Sequence, residues 1–341
     1  MQLTPEIKAQ LDQQKQQCVF CKLISGEMEA KTVFEDKTTI AMVDIYPAVK
    51  GHLLYLPKEH YPLMPYLPPE EFQHFFGILP ELLQAVKEGM AAPAMNVLIS
   101  NGGVAGQQAS HFSVHLLPRD DGDGFYNFLF DENKQLNADQ LNILQRNFPM
   151  LMGNHFQKNP AGWHQGAGET PIFLKEISSK YKVIYEDEKL VAVIVQPGAA
   201  PGQIRIYSKT EERDAYQLSA EDMTHLFYAA SYAASLLFEG LKAQGTNILL
   251  RSGYTDDNKQ GRLLIDIISR KEGDALQGII WKQKQPSYNV DDVKSRIKEH
   301  TWKIGMKQQK KAAAEPRKII VQEKKTGRHE IKDAIEQFRK R

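Results

Sequence analysis

Two histidines and a serine alternate along a short stretch that follows a glycine-rich loop. His111, Ser113 and His115 would share one face of a strand, because successive side chains of a strand point to opposite sides of the sheet. The loop at residues 102–106 contains three glycines, whose backbone can approach a ligand closely. Imidazoles beside such a loop favour an anionic ligand that carries phosphate. A merely polar sheet face would have the same pattern, so both interpretations stay open.

The only two cysteines form a Cys-x-x-Cys motif at Cys18 and Cys21. The first residues of the chain lack the apolar core of a signal peptide, and no apolar run approaches the roughly 20 residues that cross a bilayer. We therefore predict a cytoplasmic protein without membrane contact. In that compartment the motif is typical of a metal or redox site rather than of a structural disulfide.

The stretch 101–119 resembles the signature of the histidine-triad (HIT) nucleotide hydrolases and transferases. That signature has three histidines that alternate with apolar residues, preceded by a glycine–glutamine pair, as at positions 106 and 107 here. The chain keeps the first and third histidines, His111 and His115, and has Ser113 at the central position. In the family the central imidazole is the nucleophile that attacks the α-phosphate. The resemblance implies the HIT fold and a nucleoside phosphate ligand.

The resemblance also assigns residues to a nucleotide pocket. Asp44 matches the family acid that hydrogen-bonds the ribose hydroxyls, and His52 matches a histidine near the nucleotide. Asn101 and Gln107 match polar groups that contact the phosphates, and His115 matches the third histidine. Singly, Asp44 could cap a turn and Asn101 could begin one, so the assignment depends on the whole set. Residues that resemble the apolar slot around the base are Phe20, Ile24 and Ile45.

Four residues match the ligands of zinc-binding members of the family: Cys18, Cys21, His60 and His111. Two thiolates and two neutral imidazoles would form a closed tetrahedral site of zero net charge, which is typical of structural zinc. The resemblance therefore implies a structural Zn²⁺ that fixes the N-terminal segment to the histidine-containing strand. Free buried cysteines and a surface His60 are the alternative.

Ser113 needs a partner base to act as a nucleophile, whereas a neutral imidazole is competent near pH 7. On an ideal strand His111 and His115 lie about 6.5–7 Å from it, beyond direct hydrogen-bond reach. If His111 holds zinc, His115 alone remains free. We therefore predict that catalysis is weak or absent. The first alternative is an active nucleotide hydrolase or nucleotidyltransferase that uses Ser113 or His115.

Hydrophobic patterning predicts the elements that position these residues. Residues 68–90 have apolar side chains at helical spacing, and Pro80 predicts a kink or a break in that helix. A further helix is predicted at residues 137–156. Strands are predicted at residues 31–36, 38–45, 52–58 and 95–100 and in the histidine-containing stretch from 111.

The two parts of the chain repeat each other when the numbering is shifted by 151 residues. One constant offset over about 90 residues indicates a duplicated domain. Landmarks that align include VFED at 33–36 with IYED at 184–187, Gly51 with Gly202, Asn96 with Asn247, and Arg119 with Arg270.

The second copy has lost the polar chemistry of the first. Arg262, Leu264 and Asp266 stand at the positions of the two histidines and the serine. This loss predicts a structural role for the second half, for example in covering the edge of the first half's sheet. The alternative is a separate anion site formed by Arg251, Arg262 and Arg270.

The chain has 341 residues, 42% of them hydrophobic and 25% charged, with a net charge of +1. These values fit two soluble domains of ordinary size, and the net charge of the whole molecule gives no argument for a polyanion partner. The segment from 307 onward is basic, which suits a contact with nucleic acid or a partner protein. A solvated helical tail is the simpler interpretation, since no aromatic residues alternate with the basic ones to stack bases.

We therefore predict an α+β protein with two tandem HIT-like domains, each an antiparallel sheet with flanking helices, that form an intrachain pseudo-dimer. The chain also has a distant similarity to the hexose-1-phosphate uridylyltransferases, but it lacks the His-Pro-His motif of those enzymes. The predicted function is nucleotide binding with weak or absent catalysis. A zinc-stabilised scaffold whose basic tail binds nucleic acid or protein is the alternative from another class. The predicted segments are a lead-in (1–17), the first domain (18–124), a linker (125–170), the degenerate domain (171–285) and a basic tail (286–341).

Overall fold

The computed structural model describes residues 13–157, 172–210 and 212–305. Most of the predicted lead-in, the second part of the linker and the basic tail from 307 onward lie outside these residues. Within the lead-in, residues 13–17 are helical. None of the helices in the described ranges has the length and apolar character that a membrane span requires.

Runs of two or three strands are separated by helices, as in an α+β protein. The strands are β1 (Thr32–Glu35), β2 (Thr39–Val43), β3 (Leu53–Pro57), β4 (Ala94–Asn101), β5 (Val114–Arg119), β6 (Lys182–Glu186), β7 (Leu190–Ile194), β8 (Ile204–Ser208), β9 (Gly245–Ser252) and β10 (Leu264–Arg270). The helices are α1 (Val19–Ser25), α2 (Pro69–Met90), α3 (Ala138–Phe156), α4 (Ile172–Lys180), α5 (Ala220–Leu241) and α6 (Val290–Thr301).

All ten strands form one antiparallel sheet in the order β1-β2-β3-β5-β4-β9-β10-β8-β7-β6. The order within each half is the same when read inward from its outer edge. The halves join where β4 pairs with β9, from Met95 opposite Ser252 to Asn101 opposite Thr246. The β4 edge of the first half is thus covered by the second half, as the sequence predicted.

The offset of 151 residues also relates the elements themselves. Helices α2 and α5, strands β2 and β7, strands β3 and β8, and strands β4 and β9 begin and end at positions that differ by this number. Phe76 of α2 stacks on Phe227 of α5, its own counterpart, with ring centroids 4.2 Å apart. Equivalent residues of the two helices therefore face each other.

Helix α2 continues unbroken through Pro80 to Met90, so the predicted break is wrong. Pro80 itself is buried, and the preceding turn of the helix buries Phe75, Phe76 and Leu79 in the main core. Packing on this scale outweighs the one helical hydrogen bond that a proline removes.

The histidine-containing strand begins later than predicted. Its pairing with β3 runs from Leu116 opposite Leu53 to Val114 opposite Tyr55, so residues 111–113 precede the ladder. The Phe112 N–H instead donates to the carbonyl oxygen of Tyr61 at 2.6 Å, which takes these residues out of the regular pairing. The alternation still holds, because Phe112 and Val114 are buried in the core.

The turn between the first two strands of each half is tied to a helix by one contact between a histidine and an aspartate. Nε2 of His74 in α2 lies 2.7 Å from Oδ2 of Asp36, and Nε2 of His225 in α5 lies 2.7 Å from Oδ2 of Asp187. The predicted linker helix is present as α3, whose first turn has reciprocal side-chain bonds between Asn137 and Gln140.

Candidate functional site

Cys18, Cys21, His60 and His111 converge, and their ligand atoms all lie within 4.8 Å of one another. Sγ of Cys21 lies 3.3 Å from His60 Nδ1 and 3.5 Å from His111 Nδ1. Sγ of Cys18 lies 3.7 Å from the same nitrogen of His111. A zinc-centred tetrahedron with these ligands has edges of about 3.4–3.8 Å. The four residues therefore fit a tetrahedral metal ion.

Three elements position this metal cluster. Cys18 directly precedes α1 and Cys21 lies in its first turn, and an i,i+3 spacing brings both sulfurs to one side. His60 follows β3, and His111 precedes β5. Helix α1 is held on the sheet because Leu23 packs against buried residues of β2 and β3.

The protonation of the cluster also suits a metal. His111 Nε2 lies 2.9 Å from the carbonyl oxygen of Pro57, which can only accept, so the proton sits on Nε2 and Nδ1 offers its lone pair to the sulfurs. Burial lowers the pKa of His111 to about 4 and also lowers the pKa of His60. Burial, and then the charge of Cys18, raise the pKa of Cys21 to about 12. Cys21 therefore stays a protonated thiol in the absence of a cation, and a bound metal would be needed to hold both cysteines as thiolates.

Asp44, His52 and His115 form a second cluster. His52 Nε2 lies 3.0 Å from His115 Nδ1, and His52 Nδ1 lies 3.3 Å from Asp44 Oδ2. The Ala48 N–H donates to His52 Nδ1 at 3.2 Å, and the Tyr46 N–H donates to Asp44 Oδ1 at 2.8 Å. Burial lowers the pKa of His52 and His115 to about 3, so both imidazoles are neutral at pH 7. Burial raises the pKa of Asp44.

Ser113 lies between the two clusters along the chain and is half-buried. No hydrogen bond joins its hydroxyl to another of the described residues. His111 is oriented by Pro57 and the cysteines, and His115 is bonded to His52, so neither imidazole acts as a base for the serine in this arrangement.

Asn101 and Gln107 use their amides elsewhere. Asn101 is buried at the junction of the halves, and its Nδ2 donates to Thr246 Oγ1 at 3.2 Å. Gln107 braces the glycine loop, since its Oε1 accepts from the Gly102 N–H at 2.8 Å and its Nε2 donates to the carbonyls of Pro62 and Ala109. Neither hydrogen-bonds the second cluster, and their predicted phosphate contacts stay predictions.

The three residues expected around the base are spread over two environments. Phe20 and Ile24 are partly buried against β2 and β3, whereas Ile45 is 53% exposed. Only Ile45 adjoins Asp44 in the chain, so their common role around a base also stays a prediction.

The first part of the chain, which contains both clusters, is similar to known proteins. A family model for the HIT domain matches residues 25–122. A HIT-like protein of Methanocaldococcus jannaschii is 37% identical over 124 residues, which are 36% of this chain and 95% of that protein. The chain belongs to the HIT family. The adenosine 5′-monophosphoramidase HNT1 of Saccharomyces cerevisiae is 35% identical over 104 residues, 30% of this chain and 63% of that HIT protein.

Among solved structures, a HIT-family member from Bacillus subtilis is 35% identical to this chain. The overlap covers 32% of this chain and 77% of that one, with a TM-score of 0.31. The family match ends at residue 122, so the second half lies outside the HIT range.

In the second half, ion pairs stand at the positions that the offset of 151 aligns with the second cluster. At the position of His52, Gln203 accepts from the Ala199 N–H at 2.8 Å and donates to Asp266 Oδ1 at 2.7 Å. Asp266, at the position of His115, is fully buried and also pairs with Arg205 and Arg251, each at 2.7 Å. Gln203 thus joins a backbone N–H to Asp266, as His52 joins the Ala48 N–H to His115.

Two of the three arginines considered for a separate anion site, Arg251 and Arg270, are engaged in such pairs. Arg251 also contacts Asp257 at 3.1 Å, and Arg270 contacts Asp274 at 2.8 Å and Asn247 Oδ1 at 2.6 Å. Because carboxylates already neutralise both guanidinium groups, they do not offer an anion site in this arrangement.

One residue at the site had no signal in the sequence pattern. The Trp281 ring lies edge-on to His52 and His115, with centroids 5.0 and 5.3 Å apart. Trp281 belongs to the second half, and its Nε1 donates to the carbonyl oxygen of Tyr46 at 3.3 Å. Only the offset of 151 hints at it, since it aligns Trp281 with another aromatic residue, Phe130.

Proposed function

We propose that this HIT-family chain binds a nucleoside phosphate in its first half. The observation that carries the proposal is the contact of Asp44, His52 and His115, in which His52 lies 3.0 Å from one partner and 3.3 Å from the other. A carboxylate can accept from ribose hydroxyls, and a neutral imidazole can donate to a phosphate oxygen. A hydrogen-bond acceptor for the ribose and a hydrogen-bond donor for the phosphate thus lie side by side.

An adenosine nucleotide is the ligand class that we propose, since the yeast relative is named an adenosine 5′-monophosphoramidase. AMP is therefore the probe for isothermal titration calorimetry on the full chain. We expect saturable binding to the wild type and a loss of about tenfold or more in Asp44→Ala, since one charged hydrogen-bond acceptor is removed. The matched control is Asp121→Ala, which removes an exposed carboxylate and should bind like the wild type. No binding to the wild type, or equal binding to all three, would reject the proposal.

We propose further that Ser113 makes catalysis weak or absent at this site. The absence of a hydrogen-bonded base among the described residues supports this, because a serine without one is a poor nucleophile. An active hydrolase or nucleotidyltransferase that uses Ser113 or His115 is the competing function. Turnover of an adenosine phosphoramidate by the wild type separates the two.

The proposed cofactor is one structural zinc ion held by Cys18, Cys21, His60 and His111. The sulfur-to-nitrogen distances of 3.3–3.7 Å support it, as does the tautomer of His111. With all four positions taken by protein atoms, such an ion would hold α1 to the entry of β5 rather than activate a substrate.

We also propose that the second half is a degenerate HIT-like domain and that the halves form an intrachain pseudo-dimer. The mirrored strand order and the elements repeated at the 151 offset support this. The proposed domains are 18–124 and 171–285, joined by 125–170 and followed by the tail 286–341. A contact of the basic tail with nucleic acid or protein, and a cytoplasmic location, stay predictions.

A further inference from the structure

A short segment of the second half crosses onto the candidate nucleotide site. We call residues 278–283 the arm. Its Trp281 packs edge-on against His52 and His115, with interplanar angles of 82° and 88°. The Trp281 N–H donates to the carbonyl oxygen of Tyr46, two residues after Asp44. One indole thus contacts or adjoins all three polar residues of the proposed site.

The arm also occupies the space over the glycine loop. A Cβ atom built on Gly106 would lie 2.1 Å from Cγ1 of Ile280, so Ile280 packs directly against the glycine backbone. Gln283 Nε2 donates to Gln108 Oε1 at 2.7 Å, and Asn127 Nδ2 donates to the Gly278 carbonyl at 2.7 Å. The close approach that glycine permits is therefore taken by a side chain of the same molecule.

We propose that the arm closes the nucleotide site and that a nucleotide binds only when the arm is displaced. This inference rests on the proposed function for its ligand, but the closure itself concerns only the chain. If the binding-competent form is a fraction of the molecules, the apparent affinity falls by that fraction. Weakening the arm must then expose His115 and strengthen nucleotide binding.

The first half has a matching segment that serves as a control. Phe130 stands 151 residues before Trp281, and the Arg251 guanidinium lies 5.7 Å from its ring centroid. Leu129, at the position of Ile280, is 51% exposed instead of packed on a glycine. Phe130→Ala therefore removes an aromatic ring from the equivalent place without touching the nucleotide site.

Chemical modification tests closure without any nucleotide. We would treat the full chain with diethyl pyrocarbonate and follow His115 by peptide mass spectrometry. Loss of one hydrogen bond and two aromatic contacts in Trp281→Ala should speed modification of His115 about tenfold. Phe130→Ala should match the wild type, and His74, whose side chain is 39% exposed, should react alike in all samples. Equal rates at His115 in wild type and Trp281→Ala overturn the proposal.

AMP titration of the same variants tests displacement. We expect Trp281→Ala to bind AMP about tenfold more tightly than the wild type, because His115 and the nucleotide site are more exposed in this variant. Ile280→Ala frees the glycine loop while keeping the indole, and should also bind more tightly, so the test survives if Trp281→Ala fails to fold. Weaker binding by these variants would make the arm part of the ligand site and overturn displacement. Faster modification of His115 with no AMP binding by any variant would support closure and reject the proposed function.

Discussion

One hydrogen bond joins the imidazoles of His52 and His115, since His52 Nε2 lies 3.0 Å from His115 Nδ1. At this distance one nitrogen must donate and the other accept. The Ala48 N–H donates to His52 Nδ1, which favours the tautomer with the proton on Nε2. His115 then accepts at Nδ1 and carries its proton on Nε2.

The second half suggests a substitution that tests this tautomer. Gln203 stands at the position of His52, accepts from a backbone N–H through Oε1 and donates through Nε2. His52→Gln can reproduce both bonds, so we expect stability within about 0.5 kcal/mol of the wild type in urea denaturation. His52→Ala leaves the Ala48 N–H and His115 Nδ1 unpaired in a buried place and should cost about 1–3 kcal/mol. Equal losses in both variants would contradict the assignment.

The sequence was informative where chemistry and order along the chain coincide. The metal cluster could be assembled from Cys18, Cys21, His60 and His111 because ligand types and a family order fix it. Gln107 and Asn101 matched the same order, and their amides bond to the loop and to β9, contacts that a match of residue types does not fix, so their predicted phosphate contacts stay predictions. Trp281 could not be placed at all, since its contact joins residues more than 160 positions apart.

Ser113→His should create turnover where the wild type has little or none. The substitution restores a neutral imidazole at the central position, and removal of a nucleophile can cost on the order of a millionfold in rate. We expect hydrolysis of a fluorogenic adenosine phosphoramidate at least about a hundredfold above Ser113→Ala, which is the matched background. Activity of the wild type that disappears in Ser113→Ala would instead favour the serine as nucleophile.

Zinc should bind in a ratio of one per chain and support the fold. Elemental analysis of the wild type should find one zinc, and Cys18→Ser and Cys21→Ser should lose it. Because the pKa of Cys21 is raised to about 12 without a metal, binding must release protons and weaken as the pH falls. A chelator in excess should therefore lower the melting temperature, and by more at pH 8, where zinc binds more tightly, than at pH 6. Cysteine variants that keep a full complement of zinc would exclude this cluster.

The tie between Asp36 and His74 predicts a pH dependence of stability. Burial raises the pKa of Asp36, but hydrogen bonds from His74, Thr38 and Thr39 outweigh it and lower the pKa to about 2, from 3.8. A lowered pKa in the folded state stabilises the protein above the unfolded value and loses that effect as the pH falls towards about 2. We expect Asp36→Asn to cost about 1–2 kcal/mol at pH 7.

Urea denaturation of Asp36→Asn, His74→Gln and the double variant measures this tie. The coupling energy should be about 0.5–1.5 kcal/mol at pH 7 and should shrink between pH 4 and pH 3. A coupling that does not change over this range would contradict the role of the Asp36 carboxylate.

The buried Asp266 should contribute strongly to the stability of the protein. Its carboxylate lies 2.7 Å from both Arg205 and Arg251, and these partners lower its pKa although burial raises it. Asp266→Asn leaves two guanidinium groups short of a charge and should cost about 3–5 kcal/mol in urea denaturation. Asp274→Asn is the matched control, because Asp274 pairs with Arg270 nearer the surface and its substitution should cost less.

Nucleotide binding should have a stoichiometry of one per chain, because the ion pairs of Asp266 occupy the second half's counterpart of the site. Calorimetry should therefore find one AMP per wild-type chain, and two would show that the second half also binds.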